Sequence, residues 1–160
     1  MAAITSQQIL EKGLQDMRAD IIARSKAAGQ EASGRTYEKL EVRNVTDTHG
    51  EFWGPTWVGV LEDGRKPGRV PYDFTAIIME WAAHKGISWA SADPVTFERW
   101  ARGVAWHIRR HGTALYRSGQ KIDVFETPVA EFEKWLAEEL RVFYAAQVAN
   151  EIRTAWQKSK

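Results

Sequence analysis

An α+β fold is predicted by three features of this 160-residue sequence: a short alternating stretch split by a turn (37–61), helical periodicity on either side of it, and a final stretch with no glycine or proline after Pro128 until its end near residue 156. Neighbouring strands in one block and helices in others give a small antiparallel hairpin-based sheet packed by an N-terminal helix, two central helices and a long C-terminal helix. The length suits one domain, 1–160, able to bury about two-thirds of its unfolded surface without staples.

The first helix is expected over 6–27. Leu10, Leu14, Met17 and Ile21 recur at four- and three-residue steps, a narrow apolar stripe suited to one-sided packing such as against a neighbouring subunit. "AAGQEASGR" (27–35) reads as a polar loop. In "YEKLEVRNV", Leu40 and Val42 alternate with Lys39, Glu41 and Arg43, the pattern of a half-buried strand. "TDTHGE" then turns, with Gly50 available for a positive φ. "FWGPTWVGVL" returns as a second strand, and Pro55, which has no N–H for a ladder, belongs at an edge or bulge. The hairpin is thus expected over 37–61.

Helix character resumes over 72–85, where Phe74, Ile77, Ile78 and Trp81 share a face and Gly86 is the stop. The next helix, 94–111, has Asp93 as N-cap, Pro94 at the first helical position and Gly112 as terminator. Its apolar face is Phe97, Trp100, Ala101, Val104 and Ile108. The last helix, 128–156, is read as starting from Thr127 and Pro128. At 1.5 Å per residue it spans roughly 43 Å, against a diameter of about 40 Å for a compact chain of this size, so it is expected to overhang. Its stripe also turns: Val129, Phe132, Leu136, Leu140 and Phe143 share one side, whereas Tyr144, Val148, Ile152 and Trp156 drift onto another. A second apolar face implies a second surface to pack against, which favours an oligomer.

Composition narrows the chemistry. Charged residues are 27% of the chain and the formal net charge is +1, so bulk charge selects neither nucleic acid nor membrane. There is no cysteine, hence no disulfide, thiolate zinc site or thiol nucleophile, which suits a cytosolic or internally assembled protein. "MAAITSQQILEKGLQD" lacks the basic start and apolar core of a signal peptide, and no uncharged apolar run reaches membrane-spanning length. The eight tryptophans read first as core packing and second as binding residues.

The loop "LEDGRKPGRVP" (61–71) carries Arg65, Lys66 and Arg69 into the start of a helix. It has neither the spacing nor the hydroxyl of a nucleotide-hydrolase phosphate loop, and a proline interrupts any dinucleotide fingerprint. His107 and His111 stand one helical turn apart at metal-ligand spacing. Ile108 occupies the place where a metalloprotease needs glutamate, and no third ligand is near in sequence, so no metal or cofactor is expected. No nucleophile elbow or paired catalytic carboxylates stand out, so an enzyme is not expected. Charge is, however, segregated. Residues 99–121 hold six Arg/Lys and no acid; residues 123–139 hold six acids against Lys134 alone. Such blocks pair within a subunit or, head to tail, between copies, where a contact whose rotation closes makes a ring. On this reading Arg65, Lys66 and Arg69 meet Glu131, Glu138 or Glu139 of a neighbour, and Val148, Ile152 and Trp156 complete the contact.

"GVLEDGRKPG", then "VP", then a helix ending "EWAAHKGI" resembles the head–tail joining proteins of tailed bacteriophages, the small neck or tail-completion proteins often labelled minor tail components. Glu62, Gly64, Arg65, Lys66, Pro67 and Gly68 match that family's turn between hairpin and helix, and "FERWARGVAWHIRRHGT" and "DVFETPVAEF" resemble its following segments. The likeness covers roughly 38–135. Asp63 stands where the family has an aromatic residue, and the last helix is longer than usual. The resemblance implies a non-enzymatic virion protein, assembled in the host bacterial cytoplasm. It would form a sixfold ring between the portal-side connector and the tail tube, with DNA passing through the middle. Arg102, Arg109, Arg110 and Arg117 are the residues expected to face that channel. The alternative is a DNA-binding module built on loop 65–69 and the basic stretch 99–117.

Overall fold

A computed structural model describes residues 4–87 and 93–159, a mostly helical chain with one two-stranded antiparallel hairpin. The elements are α1 (Ser6–Ala27), α2 (Arg35–Glu38), β1 (Glu41–Arg43), β2 (Glu51–Trp53), α3 (Val60–Asp63), α4 (Phe74–His84), α5 (Pro94–His111), α6 (Ala114–Ser118) and α7 (Glu126–Lys158). They fall into two compact units. One is drawn from Met1–Ala23, Lys39–Gly54 and Phe125–Lys160, the other from Arg24–Glu38 and Pro55–Val124.

In the first unit, α1 begins with a capping box. Thr5 Oγ1 accepts from the Gln8 N–H at 3.2 Å, while Gln8 Oε1 accepts from the Thr5 N–H at 3.1 Å. The hairpin loop adds a second cap: Asp47 Oδ1 accepts from Ser6 Oγ at 2.9 Å and from the Gln7 N–H at 3.3 Å, placing a carboxylate at the positive end of the helix. The buried face of α1 is Ile9, Leu14, Met17 and Ile21, so the narrow stripe is covered by this chain's own hairpin and α7 rather than left for a neighbour. Leu40 is buried beside the hairpin, where its carbonyl accepts from Arg18 Nε at 2.6 Å. Gly13 is where α7 comes closest: a Cβ there would lie 2.3 Å from the Trp135 ring.

The hairpin pairs Glu41 with Trp53, Val42 with Phe52 and Arg43 with Glu51. It is much shorter than the predicted 37–61. Tyr37 lies in the single turn of α2, and the chain after Gly54 coils. Val58, Val60 and Leu61 donate three residues back, to Pro55, Trp57 and Val58. Pro55 contributes no donor to a ladder, so the strand stops before it instead of bulging around it. Gly50 has no positive φ; Asn44 (φ 50°) makes that excursion. Gly50 is instead pressed by α1, and a Cβ would fall 2.7 Å from Leu14 Cδ1.

In the second unit α4 packs on α5, burying Ile78, Ala82, Phe97, Ala101 and Ala105. Helix α4 ends in a Schellman arrangement, with Gly86 (φ 65°) donating to Ala83 and Ile87 donating to Ala82. Helix α5 matches its predicted limits. Asp93 accepts from the Thr96 hydroxyl and from the N–H groups of Val95 (3.2 Å) and Thr96 (3.1 Å), which together hold its carboxyl below the usual range. The polar stretch 27–35 is more than a loop: Ser25 Oγ, fully buried, meets both Tyr37 Oη and Gln30 Oε1 at 2.8 Å, and Gln30 Nε2 donates to the Leu61 carbonyl.

Helix α7 starts two residues before the predicted Pro128, following Phe125, which gives no side-chain cap. Pro128, buried in the first turn, costs no helix bond because first-turn N–H groups have no partner to lose. The 33 residues extend about 50 Å. Of the seven described tryptophans none is buried, and Trp53, Trp57, Trp81, Trp106 and Trp156 are exposed; Trp89 lies outside the described residues. Core packing is therefore not the role of these seven indoles. Among the described residues no helix is long and apolar enough to cross a membrane.

Candidate functional site: a docked basic loop and a bare helix end

The loop 61–71 is held as a defined turn against the end of α5. The Gly68 N–H donates to the Arg109 carbonyl at 2.8 Å, capping one of the carbonyls that the helix leaves open. Thr113 and Arg65 bond reciprocally: the Thr113 N–H donates to the Arg65 carbonyl at 3.0 Å, and the Arg65 N–H donates to Thr113 Oγ1 at 2.9 Å. Gly64 (φ 76°) and Gly112 (φ 78°) make this docking possible. A Cβ on the first would lie 2.5 Å from the Tyr116 nitrogen, and on the second 2.6 Å from the Arg65 carbonyl oxygen. Both positions combine a left-handed backbone with backbone contact, so only glycine serves.

This docking accounts for the loop's charge. Cations beside the start of α4 would oppose its dipole, and Asp73 precedes that start. The loop instead meets α5 at its carbonyl end, where the flanking Lys66 and Arg69 are favoured. The three cations separate in role. Arg65 is turned back on its own loop, with Nη2 donating to the Arg69 carbonyl at 2.5 Å and the guanidinium 5.5 Å from the Phe74 ring centroid. It is a staple of the turn, rather than a free hand for a partner. Lys66 and Arg69 are exposed, and neither side chain has a hydrogen bond or ion pair among the described residues.

The basic helix residues also divide. Arg102 pairs with Glu98 at 2.5 Å, Arg110 lies over Trp106 at 5.5 Å, and Arg117 Nη1 donates to the Gly112 carbonyl at 2.6 Å, helping to close the end of α5. The Arg109 side chain is exposed. His107 and His111 face each other with ring centroids 4.8 Å apart, both exposed. Among the described residues no three metal-ligating side chains are grouped.

On α7 the acids differ as well. Glu138 makes a two-point pair with Arg141 (Oε2 3.0 Å, Oε1 2.6 Å), which lowers its pKa and raises that of the arginine. Glu131 borders an open cleft between α1 and α7, with Asp16, Asp20 and Trp135. Glu139 is exposed. Beyond Phe143 every described residue is exposed: Val148 by 53%, Ile152 by 65% and Trp156 by 67%. The apolar face that turns away from α1 is thus uncovered in the single chain. A second apolar group is exposed on unit two, Tyr72, Ile77 and Trp81, although the sequence places Ile77 and Trp81 on one face with Phe74 and Ile78.

The arrangement thus leaves two groups of apolar side chains exposed, one on the end of α7 and one at the start of and along α4. Compared with protein-family models, with curated proteins and with solved structures, the chain matches none.

Proposed function

We propose that this chain is a structural, non-enzymatic protein of the neck of a tailed bacteriophage. Six copies form a ring that joins or completes the tail on the head and surrounds the DNA channel. The ring works without a cofactor, contacts the neighbouring connector and tail proteins, and is assembled in the host cytoplasm before residing in the virion. The observation that carries this reading is the bare end of α7, where Val148, Ile152 and Trp156 expose more than half their surface on one face. Solvent-facing aromatic and branched side chains in such a run mark an interaction surface. The defined loop with free Lys66 and Arg69, and its likeness to the neck-protein turn, supports the same reading.

For the cations we favour a protein partner over DNA. The acidic stretch of α7 supplies a complement, and a tight grip on phosphate would impede DNA sliding through a channel. Because Arg65 holds the turn itself, the informative variant is Lys66→Glu with Arg69→Glu. Sedimentation at low salt should show wild-type rings and a folded, unassembled double variant. Rings at wild-type yield from that variant would remove the loop from the subunit contact. A wild-type monomer that binds DNA with a steep salt dependence would replace the ring with the DNA-binding module.

A further inference from the structure

Two exposed surfaces of this chain have matching order. On α7, Glu131, Glu138, Ala145 and Ile152 follow one another at seven-residue steps, so each lies within about 20° of the last around the helix. This line runs from carboxylates to an apolar end, with Val148 and Trp156 on either side of Ile152. Glu138 and Ile152 are about 21 Å apart along the axis. On the second unit, the exposed cations Lys66 and Arg69 lead through Tyr72 into α4, whose Ile77 and Trp81 are exposed one turn apart. In chain order these residues also run from charged to apolar, with opposite charge and in the same direction.

We infer that the C-terminal half of α7 in one copy lies along loop 64–71 and α4 of a second copy, parallel to α4. This orientation sets the α7 carboxylates against Lys66 and Arg69, and sets Ile152 and Trp156 against Ile77 and Trp81. The reverse orientation lays carboxylates on the apolar side chains of Ile77 and Trp81 and the apolar end of α7 on Lys66 and Arg69, which is costly. Pairing of α7 with α7 fares worse on charge. A parallel pair faces carboxylate with carboxylate, and an antiparallel pair centred near Val148, which sets Glu138 opposite Lys158, leaves Lys66 and Arg69 without a complement. The Glu138–Arg141 pair is exposed, so sharing it with a neighbour costs little. The contact is head to tail, each copy donating one surface and accepting on the other. It rests on the ring reading above and specifies which faces meet.

The absence of cysteine allows a direct test. Ile77→Cys and Ile152→Cys are introduced singly and together, treated with a short bis-maleimide at low salt, and run on a denaturing gel, with the mass of the untreated protein measured by light scattering. The double variant should give a ladder of covalent dimers, trimers and larger species. Each single variant should give at least tenfold less, and Lys66→Glu with Arg69→Glu should abolish the ladder. Dimers from Ile152→Cys alone would show α7–α7 pairing and overturn the inference. So would a cross-linked monomer with no ladder, because the contact would then lie within one chain. A ring by mass without any cross-link would overturn these faces while leaving the ring reading intact; a monomer at every concentration would overturn both.

Discussion

The two halves of α7 are one uninterrupted helix with opposite surroundings. Over 126–143, Pro128 is buried and Phe132, Trp135, Leu136, Leu140 and Phe143 are half-buried, with α1 close enough at Gly13 that a Cβ would strike the Trp135 ring. Over 144–158 the side chains are equally capable of packing, yet every one is exposed. Helix propensity does not distinguish them, since the second half contains Ala145, Ala146, Ala149 and Ala155 and no breaker. What differs is the direction of the apolar stripe. A stripe that rotates by a third of a turn or more leaves the surface it began on, so the first half is stabilised by its own chain and the second is left for another molecule.

Substitutions can break this contrast. The largest expected effect is Ile21→Ala, which empties a site on α1 only 1% exposed; about 2–5 kcal/mol of stability should be lost in chemical denaturation. Ile152→Ala, a similar deletion on the bare half, should shift monomer stability by no more than about 0.5 kcal/mol when measured at dilution. Equal losses would mean that the bare half belongs to the core. A smaller effect sharpens the comparison from α5, a helix closed at both ends by its own chain. The Asp93 carboxyl is held below its ordinary pKa, first by the Thr96 hydroxyl and then by the Val95 and Thr96 N–H groups. A depressed folded value means that the cap's contribution is complete above the ordinary aspartate pKa and is lost as pH falls through the lower folded one. Wild type should therefore lose part of its melting temperature across that acid window, and Asp93→Ala should flatten the loss. An unchanged slope would remove the cap from the account.

The sequence was most legible where local chemistry decides structure. Asp93, Pro94 and Gly112 delimit α5 because caps and terminators act within a few residues. The rotating stripe on α7 was legible because helical geometry projects side chains at fixed angles. The capping box of Thr5 and Gln8 was readable from its spacing and passed unnoticed. The hairpin was overextended because alternation continued past Pro55, while the missing N–H ended the ladder. Other features required contacts distant in sequence. Nothing near Arg65 indicates that Thr113 will clasp its backbone, that the guanidinium will fold onto Phe74, or that Gly68 will cap α5. Gly50 likewise looked like a turn residue, and is glycine because α1 presses on it. Loop chemistry was thus visible from the sequence, whereas the division of labour among its three cations was not.

The central claim is that the end of α7 serves assembly and leaves the fold of its own chain intact. Truncation after Ala146 tests this most directly, with sedimentation for mass and circular dichroism for folding, alongside the full chain at matched concentration. The claim predicts that the full chain forms a ring and that the truncated chain remains a cooperatively melting monomer. An unfolded truncation, or a truncation that assembles as the full chain does, would contradict it.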